Sequence, residues 1–234
     1  MNRFWSAVSL LVMAVPQATG ADAADWILRA KYVLTMNSRH RVIENGAVAV
    51  RGARIVGIGT QAEIAGRFQS QRTLDKPDAL IAPGLIDTHT HAPMSLFRGI
   101  ADDKRLDDWL HNYIFPAESK NVSADFVRWG TRLACLEMVL AGITTYTDMY
   151  YFEEVEAETA KEAGVRGVLG QSVIGFPAPD YKTWREALAA TEKYIQRFQH
   201  DDLIIPAVAP HAIYTTPDED WSPRISSLKN TACR

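Results

Sequence analysis

Pro83-Gly84-Leu85-Ile86-Asp87-Thr88-His89-Thr90-His91 is a Pro-Gly turn followed by an apolar run that ends in two histidines at i and i+2. In an extended strand this spacing puts both imidazoles on one face. Two neutral imidazoles pointing the same way can hold a divalent transition metal. The pair stands at the C-terminal end of the run, where parallel α/β folds place their chemistry. His89 and His91 are therefore the candidate metal ligands.

Downstream the pattern alternates strand and helix. Strands are expected over residues 85–91, 143–149, 165–174 and 203–209. Helices are expected over 123–140, with Ser123 as cap and Gly142 as stop, and over 153–163, closed by Gly164. Thr183-Trp184-Arg185-Glu186 is a capping box. The helix after it gathers Trp184, Ala187, Leu188, Thr191, Tyr194, Ile195 and Phe198 on one face. Repeated β-then-α units imply parallel pairing with right-handed crossovers. Residues 81–219 supply about four such units, where a closed barrel needs eight. The expected fold class is α/β: a partial TIM-type (β/α) barrel, preceded over residues 24–80 by part of a small β-sandwich. Asn45-Gly46 and Arg51-Gly52 read as turns in that sandwich, and residues 61–68 as a short helix. Asp220 to Arg224 breaks the pattern and Ser226 to Arg234 is polar and aperiodic, so residues 220–234 read as an aberrant tail. The expectation is the N-terminal portion of a longer enzyme.

The chain has 234 residues, 47% of them hydrophobic, and a net charge of −3, so it reads as globular with no electrostatic footprint for nucleic acid. Two cysteines, Cys135 and Cys233, make no disulfide framework. Arg3, an apolar run to Val15 and the small residues Ala18, Gly20, Ala21 and Ala23 describe a signal peptide over residues 1–23. Cleavage after Gly20 or after Ala23 fits equally. The run is too short to span a bilayer, so the mature chain is expected to be exported, periplasmic or secreted, without a stable membrane anchor.

Ala82 to His91, then Asp108-Trp109-Leu110, Pro116-Ala117-Glu118, Gly142-Ile143-Thr144-Thr145 and Ala209-Pro210-His211, follow one another in an order that resembles the amidohydrolase superfamily. Within it, the resemblance is to the deaminases of S-adenosylhomocysteine and methylthioadenosine and to the triazine hydrolases. It implies a metal-dependent hydrolase of a small molecule, with one divalent metal, zinc ahead of iron, on His89 and His91. The implied reaction replaces a ring amino group by an oxo group and releases ammonia, on an adenosine-type thioether nucleoside. Triazine-type dechlorination is the alternative in the same class, and a non-catalytic truncated product or binding fragment the alternative in another. Trp109 is implied as an aromatic wall, Glu118 as a carboxylate for ribose hydroxyls and His211 as a substrate contact. Their plain alternatives are lid packing, a solvated helix charge and a hydrogen-bonded strand-end histidine. No lysine occurs in residues 203–209, against the subtype that bridges two metals with a carbamylated lysine there. The family's remaining metal ligands and its proton-shuttling Glu belong to later strands, so no complete catalytic set is expected within these residues.

Overall fold

The computed structural model describes residues 20–216. The signal peptide up to Thr19 and the tail expected over 220–234 lie outside them. The described chain divides into two compact units at Pro83/Gly84.

The first unit holds β1 (Asp22–Ala23), β2 (Trp26–Leu34), β3 (Val42–Arg51), β4 (Arg54–Thr60), α1 (Gln61–Arg67), β5 (Phe68–Gln69) and β6 (Thr73–Ile81). Its main sheet runs β4-β3-β2-β6, and β1 pairs separately with β5. β3 is apolar on both faces. Ala47 and Ala49 pack with Ile27, Ile64 and Phe68, while Val48 packs with Val33 and Ile43 on the other side. The Asn45-Gly46 turn is a correction. β3 runs straight through it, with Asn45 in the left-handed region at φ 46° and Gly46 paired to Ala30. Asn tolerates that conformation, so the dipeptide here continues the strand instead of reversing it. Reversal falls at Gly52, φ 55°, between register partners Arg51 and Arg54. β6 carries Pro77 and lies at the sheet edge, the position proline's missing donor allows.

The second unit begins with β7 (Leu85–Thr90) and a 3₁₀ turn (Ala92–Phe97). A helical segment follows: α2 (Leu106–Asp108), a π turn (Trp109–Ile114) and α3 (Phe115–Asn121). Then come α4 (Ala124–Leu140), β8 (Ile143–Tyr150), α5 (Glu153–Ala163), β9 (Arg166–Val173), α6 (Trp184–Phe198) and β10 (Ile204–Pro210). The sheet is wholly parallel, in the order β10-β9-β8-β7. This is a partial barrel of four strands, and among the described residues β7 and β10 each pair on one side only. Among these residues no helix is long and apolar enough to cross a membrane.

Local chemistry sets the helix ends. Ser123 Oγ accepts from the Phe126 amide at 3.2 Å, and Thr183 with Glu186 forms a reciprocal capping box. The seven residues expected on the buried face of α6 are all buried. The core gathers Tyr146, Leu169 and Ile204 from the strands with Cys135 and Met138 of α4, Ala157 and Ala160 of α5, and Tyr194 and Phe198 of α6.

Gly130 of α4 is where the helix meets the 3₁₀ turn that follows His91. A Cβ on Gly130 would fall on the Pro93 carbonyl and Cα. Backbone cannot give way there as a flexible side chain could, and overpacking typically costs about 1–3 kcal/mol. Gly130→Ala is expected to lower stability by about that amount in denaturant titration, although alanine favours helix. An unchanged or raised midpoint would refute this close approach.

Candidate active site

His91 lies just beyond β7, half-buried, beside the C-terminal end of β8. Its Nδ1 is 2.8 Å from the Met149 carbonyl oxygen and so carries the proton that it donates there. That leaves Nε2 as a lone pair. Asp148, 3% exposed, approaches Nδ1 at 3.7 Å. It also accepts from the Ala92 amide at 2.6 Å and the Met149 amide at 2.5 Å. The carboxylate thus ties the backbone just after His91 to the end of β8. Burial pulls the His91 pKa down, but the Asp148 charge and the Met149 carbonyl outweigh it and leave the imidazole above its ordinary value.

His89 is exposed, and its ring lies 5.3 Å from that of His91, edge to face. Among the described residues no group of three or more His, Cys, Asp or Glu could hold a metal. What these residues offer is two neighbouring imidazoles, one with its ring nitrogen freed by a carbonyl acceptor. This fits two positions of a zinc-type site and its outer-sphere orientation.

His91, Trp109, Glu118 and His211 line one cavity, together with Tyr150 and Tyr151. His89 is not in its wall. Glu118 is 4% exposed, so it is not a solvated helix charge. The Tyr151 hydroxyl donates to its Oε2 at 3.3 Å. Burial pushes the Glu118 carboxyl up to about 7, against the pull of the Tyr150 and Tyr151 hydroxyls and the charge on His91. His211 follows β10, and its Nδ1 is 2.8 Å from Thr215 Oγ1. That hydroxyl donates to the Ala212 carbonyl at 3.2 Å, so it accepts from Nδ1–H and leaves Nε2 bare. Burial, then the charge on His91, holds His211 below its ordinary pKa, which favours the neutral ring.

Trp109 and Glu118 reach the same cavity through the π turn. Nine residues of unbroken α-helix make about two and a half turns, which would set the two on opposite sides. Pro116 has no amide to donate, and the Phe115 amide bonds back five residues to the Leu110 carbonyl. The wider turn absorbs the mismatch, as π turns beside functional sites do. A second cavity shares Phe115, Glu118 and Tyr151 with the first and continues over Phe176, Pro177 and Pro179. Phe115 and Phe176 meet there with ring centroids 5.3 Å apart. Tyr150 and Tyr151 were not singled out in the sequence. The signal that could have found them is their place at the C-terminal end of a parallel strand.

The chain belongs to the amidohydrolase family, which residues 80–226 match. It is 48% identical over 194 residues to a 5-methylthioadenosine/S-adenosylhomocysteine deaminase of Syntrophus aciditrophicus, covering 83% of this chain and 44% of that protein. The chain therefore spans less than half the length of that relative. The structure superposes on a zinc-bound adenosine deaminase from Xanthomonas campestris with TM-score 0.86 and 35% identity, over 90% of this chain and 48% of that one. An atrazine chlorohydrolase from Arthrobacter aurescens, complexed with zinc, shares the fold at TM-score 0.72 and 20% identity, over 82% and 48% of the two chains.

The raised Glu118 pKa has a stability consequence. Between pH 4.5 and about 7 the carboxyl is ionised in the unfolded chain and protonated in the folded one. The folded state then binds more protons, so stability is fullest below this window and falls as pH rises through it. Two to three pH units correspond to something on the order of 3 kcal/mol. Glu118→Gln removes this term, so the parent is expected to lose stability relative to the variant between about pH 5 and about pH 7.5. Parallel stability profiles in denaturant would show that the carboxyl is not perturbed.

Proposed function

We propose that this half-barrel carries the nucleoside-binding side of a hydrolytic deaminase acting on adenosine-type thioethers such as 5′-methylthioadenosine or S-adenosylhomocysteine. The observation that carries this reading is the buried Glu118 carboxyl, held by Tyr151 in a cavity shared with Trp109, His91 and His211. The ribose diol has two donors for such a carboxyl, and the indole of Trp109 offers a face to the purine. Nε2 of His211 is a neutral acceptor for an N–H on the base. In the second cavity the rings of Phe115 and Phe176 offer apolar contact to a thioether substituent at the 5′ position. His89 and His91 would hold one divalent metal, zinc being the ion bound in the Xanthomonas relative. When bound, such an ion acidifies water and polarises the ring carbon under attack. The names of the relatives support the same substrate class.

The triazine alternative is weaker on this cavity. A triazine would stack on Trp109 but bring no hydroxyls to Glu118, and a buried polar group left unpaired costs about 1–3 kcal/mol. With zinc present, 5′-methylthioadenosine is expected to raise the thermal midpoint of the chain, by an amount equivalent to about 2.7 kcal/mol at a hundredfold excess over Kd. The shift should vanish in Glu118→Ala and Trp109→Ala. A shift with a triazine and none with the nucleoside would reverse the choice. Turnover is not expected from these residues by themselves, because two imidazoles do not complete the metal site.

We also propose that the protein is exported and cut after Gly20. The support for the earlier of the two cuts is β1, which pairs Asp22 and Ala23 with Phe68 and Gln69. Arg51 Nε also donates to the Ala23 carbonyl at 2.7 Å. A cut after Ala23 would remove this ladder. N-terminal sequencing of protein from its native host should begin at Ala21; a start at Met1 or Ala24 would contradict the proposal.

A further inference from the structure

The second cavity has one wall from α3 and another from the loop between β9 and α6. Phe115 stands in the first wall, and Phe176, Pro177 and Pro179 in the second. A loop of this composition has few backbone bonds with which to hold a shape, because Pro177 and Pro179 have no amide to donate. Its other backbone bonds are local or lie at its ends: the Ala178 amide donates to the Tyr181 carbonyl at 2.8 Å, and the Gly175 amide to the Thr215 carbonyl at 2.7 Å.

Asp180 supplies the tie to the rest of the unit. Its Oδ2 accepts from the Phe152 amide and from Gln171 Nε2, each at 2.9 Å. Its Oδ1 accepts from the Tyr181 amide at 2.8 Å. Gln171 is buried near the end of β9, and its Oε1 accepts in turn from the Glu153 amide at 3.4 Å. One carboxylate thus joins the loop to β9 and to the first residues of α5. Phe152 is in the left-handed region at φ 54°, where a bulky residue is strained. Strain of this kind persists only where the surroundings hold it, and the Asp180 bond falls on that residue's own amide.

We propose that Asp180 is a positioning residue for substrate selection: by joining the loop to Phe152 and Gln171 it holds the Phe176 ring against Phe115, and that pair of rings contacts the substituent at the 5′ position of the nucleoside. The proposal rests on the nucleoside reading of the two cavities. Adenosine, with only a hydroxyl at that position, stays in the first cavity. S-adenosylhomocysteine extends past Glu118 and Tyr151 to the two rings, where its thioether and methylene groups find apolar contact. Asp180 acts through Phe176, so losing either has the same consequence.

The test uses the full chain with zinc, titrated calorimetrically with adenosine and with S-adenosylhomocysteine. Asp180→Ala is expected to weaken S-adenosylhomocysteine about tenfold or more and adenosine less than about threefold. Phe176→Ala should do the same, and the double variant should be no weaker than about the worse single one, because the two losses are one loss. Phe152→Gly keeps both the amide and the left-handed conformation, so the ratio of the two affinities should stay within about threefold of the parent. Equal weakening of both nucleosides by Asp180→Ala, or losses that add in the double variant, would overturn the proposal. Amide hydrogen exchange of the parent gives a reading that needs no variant to fold. The Phe152 amide, which lies outside the helical ladder, should be protected, and fast exchange there overturns the tether. A parent that binds neither nucleoside sinks the substrate reading and the selective role with it, whereas a protected Phe152 amide would still stand for the tether.

Discussion

The hydrogen bond from the Ala92 amide to Asp148 joins the two strand ends on which the site is built. β7 and β8 are parallel neighbours, and their ladder is irregular between Asp87 and Thr90. Where the regular ladder ends, a buried carboxylate on β8 captures the first amide after His91. Hydrogen bonds to a charged group contribute about 1.5–3 kcal/mol each, roughly twice a neutral pair. The direction of the His91 ring, the approach of the 3₁₀ turn to Gly130 and the wall of the cavity follow from that attachment. Two backbone amides meet the buried Asp148 carboxylate directly.

On the opposite wall the chemistry is inverted. Asp148 faces amide donors, whereas Glu118 faces tyrosine rings and one hydroxyl. Burial therefore leaves the second carboxyl near the edge of ionisation. An acid poised in this way can accept from a ligand's hydroxyls or donate to its acceptors without a large reorganisation.

How much of this was legible in the sequence depended on whether the signal was periodic. The buried stripe of α6, the Ser123 and Thr183 caps and the stop at Gly164 follow from residue chemistry over a few positions, and the structure has them within a residue of their expected places. The parallel order β7-β8-β9-β10 follows from the alternation of elements. Other features were set by tertiary context. Asn45-Gly46 has turn chemistry but lies in a strand whose neighbours on both sides are paired. Trp109 and Glu118 were named from family resemblance, and their spacing makes no helical sense without the π turn at Pro116. Phe152 enters α5 in the left-handed region at φ 54°, with its amide held by Asp180 Oδ2 at 2.9 Å across 28 residues, and nothing in a bulky aromatic announces that. Asp148 lies near the end of its strand, and the Ala92 amide that it accepts from lies 56 residues away in sequence, a partner that only the fold supplies.

The strand order also bears on how the molecule is made. Each strand of the second unit pairs with the one synthesised just before it, so the sheet can lengthen one βα unit at a time while the polypeptide leaves the ribosome at about 5–20 residues per second. No step waits for a distant partner, which keeps the loop-closure penalty of each addition small. Among the described residues the latest strand presents a fresh row of amides and carbonyls at each addition, and the β7 side is unpaired. Sheet edges of this kind on a nascent chain invite chaperones and other chains, so growth in register carries a hazard of off-pathway pairing.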